Sequence, residues 1–221
     1  MTDQELIKQI VDLYVKARET TFLRKNLRRG RNHSVSSKVE DLFAIYIAEI
    51  ISSNEDLPDH IKLLIDQPFT YTIDNKTYSI YPDIAIIKDM QVKSMFDVKM
   101  DLGWNRDFYP FCKEKQDLVD EIRGRKVKAK DGTTKEEFNY TFSETIKYNI
   151  VIISNENISK KKREGNDIQI SNLDKSKIEF FALTENAHPN SYDEKTASNI
   201  EQIQHRKDFA RLKEEIRKNG S

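Results

Sequence analysis

Residues 77–88 read Thr-Tyr-Ser-Ile-Tyr-Pro-Asp-Ile-Ala-Ile-Ile-Lys, and residues 92–100 read Val-Lys-Ser-Met-Phe-Asp-Val-Lys-Met. Both runs are rich in β-branched and aromatic residues and predict two strands joined by a short turn. A third β-rich run, 68–73 (Pro-Phe-Thr-Tyr-Thr-Ile), precedes them, with Asp74-Asn75-Lys76 as its turn. Short turns at both joints imply an antiparallel three-strand meander. Side chains alternate along a strand, so Asp97 and Lys99 share one face, roughly 6–7 Å apart, while Phe96, Val98 and Met100 take the other and suit a core. Asp83, behind Pro82, converges on the Asp97/Lys99 face if the register permits.

Outward from this stretch the pattern becomes helical. Leu6, Ile7, Ile10, Val11, Tyr14 and Ala17 recur at helical spacing over 4–18, and Val39, Leu42, Phe43, Tyr46, Ile47, Ile50 and Ile51 over about 37–53, with Ser36 or Ser37 as N-cap. Residues 61–66 read as a helical stretch, and a further helix is expected near 106–122. The apolar runs 148–154 and 178–184 predict buried strands, and the charged tail from about 194 to 218 reads as a helix. The order predicts an α/β fold, a mixed central β-sheet flanked by α-helices, in a single domain over 1–221. Its core spans about 36–185, with a helix and basic segment over 1–35 and the C-terminal helix at about 194–218.

The chain has 221 residues and 37 Lys+Arg against 37 Asp+Glu, so its formal net charge is zero. That balance excludes a histone-like basic protein but not a segregated basic surface. Eleven Phe and nine Tyr argue against disorder. Cys112 is the only cysteine, which excludes an internal disulfide or a Cys-rich zinc site. No apolar run approaches the roughly 18 residues that a membrane span needs, and no signal-peptide pattern opens the chain, so a cytoplasmic protein is expected. No P-loop motif appears, so ATP is not expected as a partner.

Two carboxylates and one ammonium on a sheet face have a chemical use. Carboxylate oxygens are hard ligands suited to Mg²⁺, with Mn²⁺ as a substitute. A metal held there can polarise a phosphodiester and lower the pKa of its bound water. A neighbouring Lys can orient that water or offset charge in the transition state. Pro82-Asp83, followed fourteen residues later by Asp97-Val98-Lys99, resembles the PD-(D/E)xK nuclease superfamily, the restriction-endonuclease-like fold. The resemblance covers roughly residues 36–185. It implies Asp83 and Asp97 as metal ligands, Lys99 as the water-orienting group, and Mg²⁺-dependent cleavage of double-stranded DNA, most often as a type II restriction enzyme. The family often adds an acidic residue on the helix before the meander, a place that Glu40 occupies. Glu40 also reads as the third position of a capping box begun by Ser37, and both readings stand at this point. Two other matches are set aside. In one, Pro58-Asp59 with Asp74-Asn75-Lys76, the second half reads as a turn and the first precedes the apparent helix at 61–66; the other, Asp193-Glu194-Lys195, is a stray.

Between Thr20 and Val39 lie Arg24, Lys25, Arg28, Arg29, Arg31 and Lys38, without an acidic residue. Such a segment can track phosphates and read guanine edges. Arg123, Arg125, Lys126 and Lys128 form a second basic cluster in an expected loop or hairpin, and Asn105 and Arg106 could face a substrate phosphate. A palindromic target would suit a homodimer. A repair or recombination nuclease such as a junction resolvase keeps the chemistry with another substrate, and a non-catalytic DNA-binding module keeps the charges alone.

Overall fold

The computed structural model describes residues 1–18, 34–52, 56–104, 108–132, 134–186, 188–189 and 204–220. Its helices are α1 (Asp3–Arg18), α2 (Ser36–Ile51), α3 (Phe108–Ile122), α4 (Lys160–Ser171) and α5 (Asp208–Gly220). Its strands are β1 (Ile61–Ile65), β2 (Phe69–Ile73), β3 (Lys76–Ile80), β4 (Ile84–Lys88), β5 (Gln91–Asp101), β6 (Lys126–Lys130), β7 (Glu137–Ser154), β8 (Ile178–Glu185) and the two-residue β9 (Gln204–His205).

One mixed sheet runs in the order β1-β4-β5-β7-β6-β2-β3, with β8 added beside β7 and β9 beside β8. The eighteen-residue β7 is shared lengthwise. It lies parallel to β5 on one side, while its other side pairs first with β6, antiparallel, and then with β8, parallel. The parallel step from β7 to β8 passes through α4, as parallel neighbours require a crossover. The expected α/β class with a mixed sheet flanked by helices is observed.

Side-chain alternation divides the sheet into two buried faces. Ile84, Ile86, Phe96, Val98, Val151, Ile153, Phe181 and Leu183 pack against α1, α2 and α5. Ala85, Ile87, Met95, Tyr148, Ile150 and Ile152 pack with α3 residues Phe108, Cys112, Val119 and Ile122 on the other face. Strands buried on both faces need near-continuous apolar sequence, which is what 148–154 supplies. No described helix is long and apolar enough to cross a membrane.

Several expectations are corrected. Residues 77–88 are not one strand. Pro82 has no N–H to give a ladder, and the run divides there into β3 and β4, which lie far apart in the sheet. The antiparallel set beside the Asp97 strand is β1-β4-β5, with β1 supplied by residues 61–65, which were expected to be helical. The β2–β3 hairpin is inserted between β1 and β4 and docks at the opposite edge, on β6. The two tight turns are as read: Asp74-Asn75 and Asp89-Met90 each place two consecutive residues at positive φ, as a two-residue hairpin loop demands. Residues 160–171 form a helix that has no apolar stripe to announce it. The helix expected from 194 begins at Asp208, because Gln204 and His205 pair with the end of β8; residues 194–203 lie outside the described residues.

Ile150 sits in the C-terminal half of β7, fully buried. Ile150→Ala should lower unfolding free energy by about 2–5 kcal/mol. Urea denaturation checks it: the midpoint falls while the slope stays unchanged.

Candidate active site

The β4–β5 pairing sets Ile84 opposite Phe96. Carried one residue further, that register sets Asp83 opposite Asp97, so both side chains leave the same face of the sheet. Lys99, two residues on, shares that face, while Phe96, Val98 and Met100 pack against α1, α2 and α5. The alternation read from the sequence is therefore observed.

Asp83 Oδ2 accepts hydrogen bonds from the Val98 backbone N–H at 2.6 Å and from Lys99 Nζ at 2.9 Å. Burial pushes the Asp83 carboxyl above the ordinary aspartate range, the negative Asp97 adds to this, and Lys99 with the Val98 N–H partly offsets it. Asp97 is 4 % exposed. Its Oδ1 accepts from the Tyr148 hydroxyl at 2.8 Å, and Lys115 Nζ lies 3.5 Å from its Oδ2. Burial and the Asp97 charge hold the Tyr148 hydroxyl well above its ordinary value, so it stays protonated and donates.

Glu40 stands on α2, half-buried, and lines an open cleft of about 600 Å³ together with Ser36, Lys99, Asp101 and Asn157. Burial and then the charge of Asp83 raise its carboxyl, and Lys99 opposes them. The capping-box reading is overturned: the N-cap of α2 is Val35, with no side-chain cap, and Ser37 lies inside the helix.

The floor of the cleft is tightly built. Asp101 Oδ2 accepts a hydrogen bond from Asn157 Nδ2 at 2.9 Å, and His188 Nε2 lies within ion-pair distance of the same oxygen, also 2.9 Å away. Burial alone would raise this carboxyl, but those two contacts outweigh it and hold it below the ordinary range. Gly103 permits the approach, since a Cβ there would lie 2.9 Å from Asn157 and from the Asp101 carboxylate.

Among the described residues, no three His, Cys, Asp or Glu side chains gather closely enough to hold a metal ion. A small hard dication often takes only one or two protein carboxylates, leaving its other positions to water and phosphate. Two facing carboxylates whose ionised forms oppose each other fit that demand, with Glu40 close enough to feel the charge of Asp83.

The proposed DNA contacts divide differently. Arg24, Lys25, Arg28, Arg29, Arg31, Asn105 and Arg106 lie outside the described residues. Lys38 is exposed in the first turn of α2, two residues from Glu40. Lys126 and Lys128 are exposed on β6, alternating with buried Val127 and Ala129. Arg123 is instead committed to the protein, donating to the Ile146 and Ser176 carbonyls, and Arg125 donates to the Glu121 carbonyl.

Sequence reasoning missed Tyr148 and Lys115. Tyr148 opens the apolar run 148–154, and a buried phenol needs a partner, which was a usable signal. Lys115 carried none, because a lysine on an amphipathic helix is ordinary. Compared with protein-family models, curated proteins and solved structures, the chain matches none.

The raised Glu40 carboxyl sets a pH dependence. A carboxyl with a higher pKa folded than unfolded binds more protons when folded, so stability falls as pH rises from the ordinary Glu range through the raised value. Glu40→Gln should therefore melt above the wild type at about pH 7, and the gap should close as pH falls below the ordinary glutamate value, roughly 4.3. Paired thermal melts across that range are the check.

Proposed function

We propose that this chain is a Mg²⁺-dependent endonuclease that hydrolyses double-stranded DNA at a specific sequence, in the manner of a type II restriction enzyme. The observation that carries the reading is the contact of Lys99 Nζ with Asp83 Oδ2 at 2.9 Å, beside Asp97 on the same face of the sheet. Asp83 and Asp97 would hold the metal, and Glu40 would complete the site from the cleft side. Bound Mg²⁺ supplies Lewis-acid polarisation of a phosphoryl oxygen and a more acidic water.

The chain's own groups do the rest. Lys99 orients the attacking water and donates to the phosphate as negative charge builds on it. The Val98 N–H keeps one Asp83 oxygen fixed, so that carboxylate does not rotate away. Tyr148 and Lys115 fix Asp97 from beneath and keep it out of bulk water. In the sequence the acid-free basic stretch 20–39 precedes Glu40, and Lys38, exposed in the first turn of the helix that carries Glu40, suits contact with a phosphate. Two copies about a two-fold axis would match a palindromic target.

A second reading has one observation in its favour: Asp97 is nearly inaccessible and already satisfied by Tyr148 and Lys115, as in a DNA-binding module without catalysis.

Plasmid relaxation and linearisation in Mg²⁺ separates the two. The nuclease reading expects Lys99→Ala and Asp97→Asn to lose roughly 10²–10³-fold in rate while still binding duplex DNA. Equal rates for wild type and Lys99→Ala would sink it. DNA affinity without cleavage in Mg²⁺ or Mn²⁺ would establish the module.

A further inference from the structure

A second groove, of about 890 Å³, runs between α3 and the β2–β3 hairpin. Four tyrosines line it: Tyr71, Tyr78, Tyr81 and Tyr109. Tyr81 is 65 % exposed and Tyr78 is 42 % exposed, an unusual outlay of aromatic surface. Tyr71 and Tyr78 are direct partners in the hairpin register, and their rings stack with centroids 5.7 Å apart and planes 23° from parallel. The Tyr71 hydroxyl donates to Glu121 on α3 at 2.9 Å, which fixes that ring against the helix. The Tyr71–Tyr78 pair therefore gives the groove one stacked aromatic wall, beside which Tyr81 and Tyr109 also line it.

The charges in the groove are largely engaged within the protein. Lys113 pairs with Asp117 one helical turn away, and Lys115 reaches Asp97 while lying over the Tyr148 ring at 4.8 Å. With both lysines so committed, the groove is ill-suited to track phosphates. Its flat rings suit a neutral, planar, aromatic group instead. The groove also abuts the proposed catalytic carboxylates: Lys115 lines it and touches Asp97, and Tyr81 stands two residues before Asp83.

We propose that the tyrosine groove takes unstacked nucleobases of the DNA strand whose phosphate enters the carboxylate cleft, an inference that rests on the nuclease reading. Tyr78 and Tyr81 stack on the bases, while the strand's phosphate lies outside the groove, in the carboxylate cleft at Lys99. Every base has a π-face, so stacking holds bases without reading their identity; loss of an aromatic partner costs about 1–3 kcal/mol per base, or roughly 5–150-fold in affinity.

The test uses the full chain and two fluorescein-labelled duplexes of equal length, one fully paired and one with a central unpaired stretch, titrated by fluorescence anisotropy in EDTA. The wild type should bind the unpaired-stretch duplex at least fivefold more tightly. Tyr78→Ala with Tyr81→Ala should abolish that preference, and Tyr78→Phe with Tyr81→Phe should keep it. Both positions are exposed, and circular dichroism melts confirm that each variant is folded. Equal affinity for the two duplexes, or a preference that survives the alanine pair, overturns the proposal. So does a change of oligomeric state in the alanine pair with DNA affinity unmoved, which would assign the groove to a second copy. The two readings fail separately. Lys99-dependent plasmid cleavage with no tyrosine effect removes the groove alone; tyrosine-dependent binding with no cleavage in Mg²⁺ removes the nuclease and leaves a site for unpaired bases.

Discussion

Two like charges are held face to face by a hydrogen-bonded register. The pairing of Ile84 with Phe96 leaves Asp83 and Asp97 no choice but to leave the sheet on the same side, and both are largely withdrawn from water. Burial, and then the neighbouring Asp97 charge, oppose ionisation of Asp83. The surrounding residues answer this: the Val98 N–H and Lys99 on Asp83, Tyr148 and Lys115 on Asp97. Removing one partner of a buried charge costs more than the contact itself contributes, because the remaining charge is left unpaired. The arrangement persists because the sheet around it is anchored by apolar contacts on both faces, from Phe96 and Val98 on one and Met95, Ile150 and Ile152 on the other.

A protein organised only for stability would gain by replacing such a cluster with apolar groups of similar volume. Retaining two carboxylates, with a third on the neighbouring helix, makes sense if the cluster meets a cation and an anion together. The net charge of zero conceals this division. Asp83 and Asp97 face each other on the sheet, with Glu40 near enough to feel the Asp83 charge. Exposed lysines such as Lys38, Lys126 and Lys128 stand on outer surfaces, and in the sequence the acid-free stretch 20–39 precedes Glu40. The aromatic groove beside the cluster carries a third kind of surface, suited to neither ion.

Much of this was legible from local pattern. The apolar stripes of α1 and α2 were read within a residue or two because a single period ran the length of each helix. Asp97 and Lys99 were placed on one face because a strand has a period of two. Legibility failed where the decisive information was not local. Nothing in residues 61–65 alone distinguishes a strand from a helix; β4 makes the difference by supplying its ladder. Pro82 was seen as part of a motif rather than as the break that sends β3 and β4 to opposite parts of the sheet. Residues 160–171 bury only Asn166, so the helix had no apolar period to show. Lys115 meets Asp97 across the fold, a contact no spacing rule reaches, and Glu40 lost its capping role only when Val35 proved to be the cap.

We propose that the carboxylate pair and Lys99 cut duplex DNA at a defined sequence. Run-off mapping of the ends produced on a sequenced plasmid incubated with the protein and Mg²⁺ tests it most directly. Discrete termini that share one short sequence and are absent in EDTA are expected. Intact plasmid, or termini scattered without a common sequence, would contradict it.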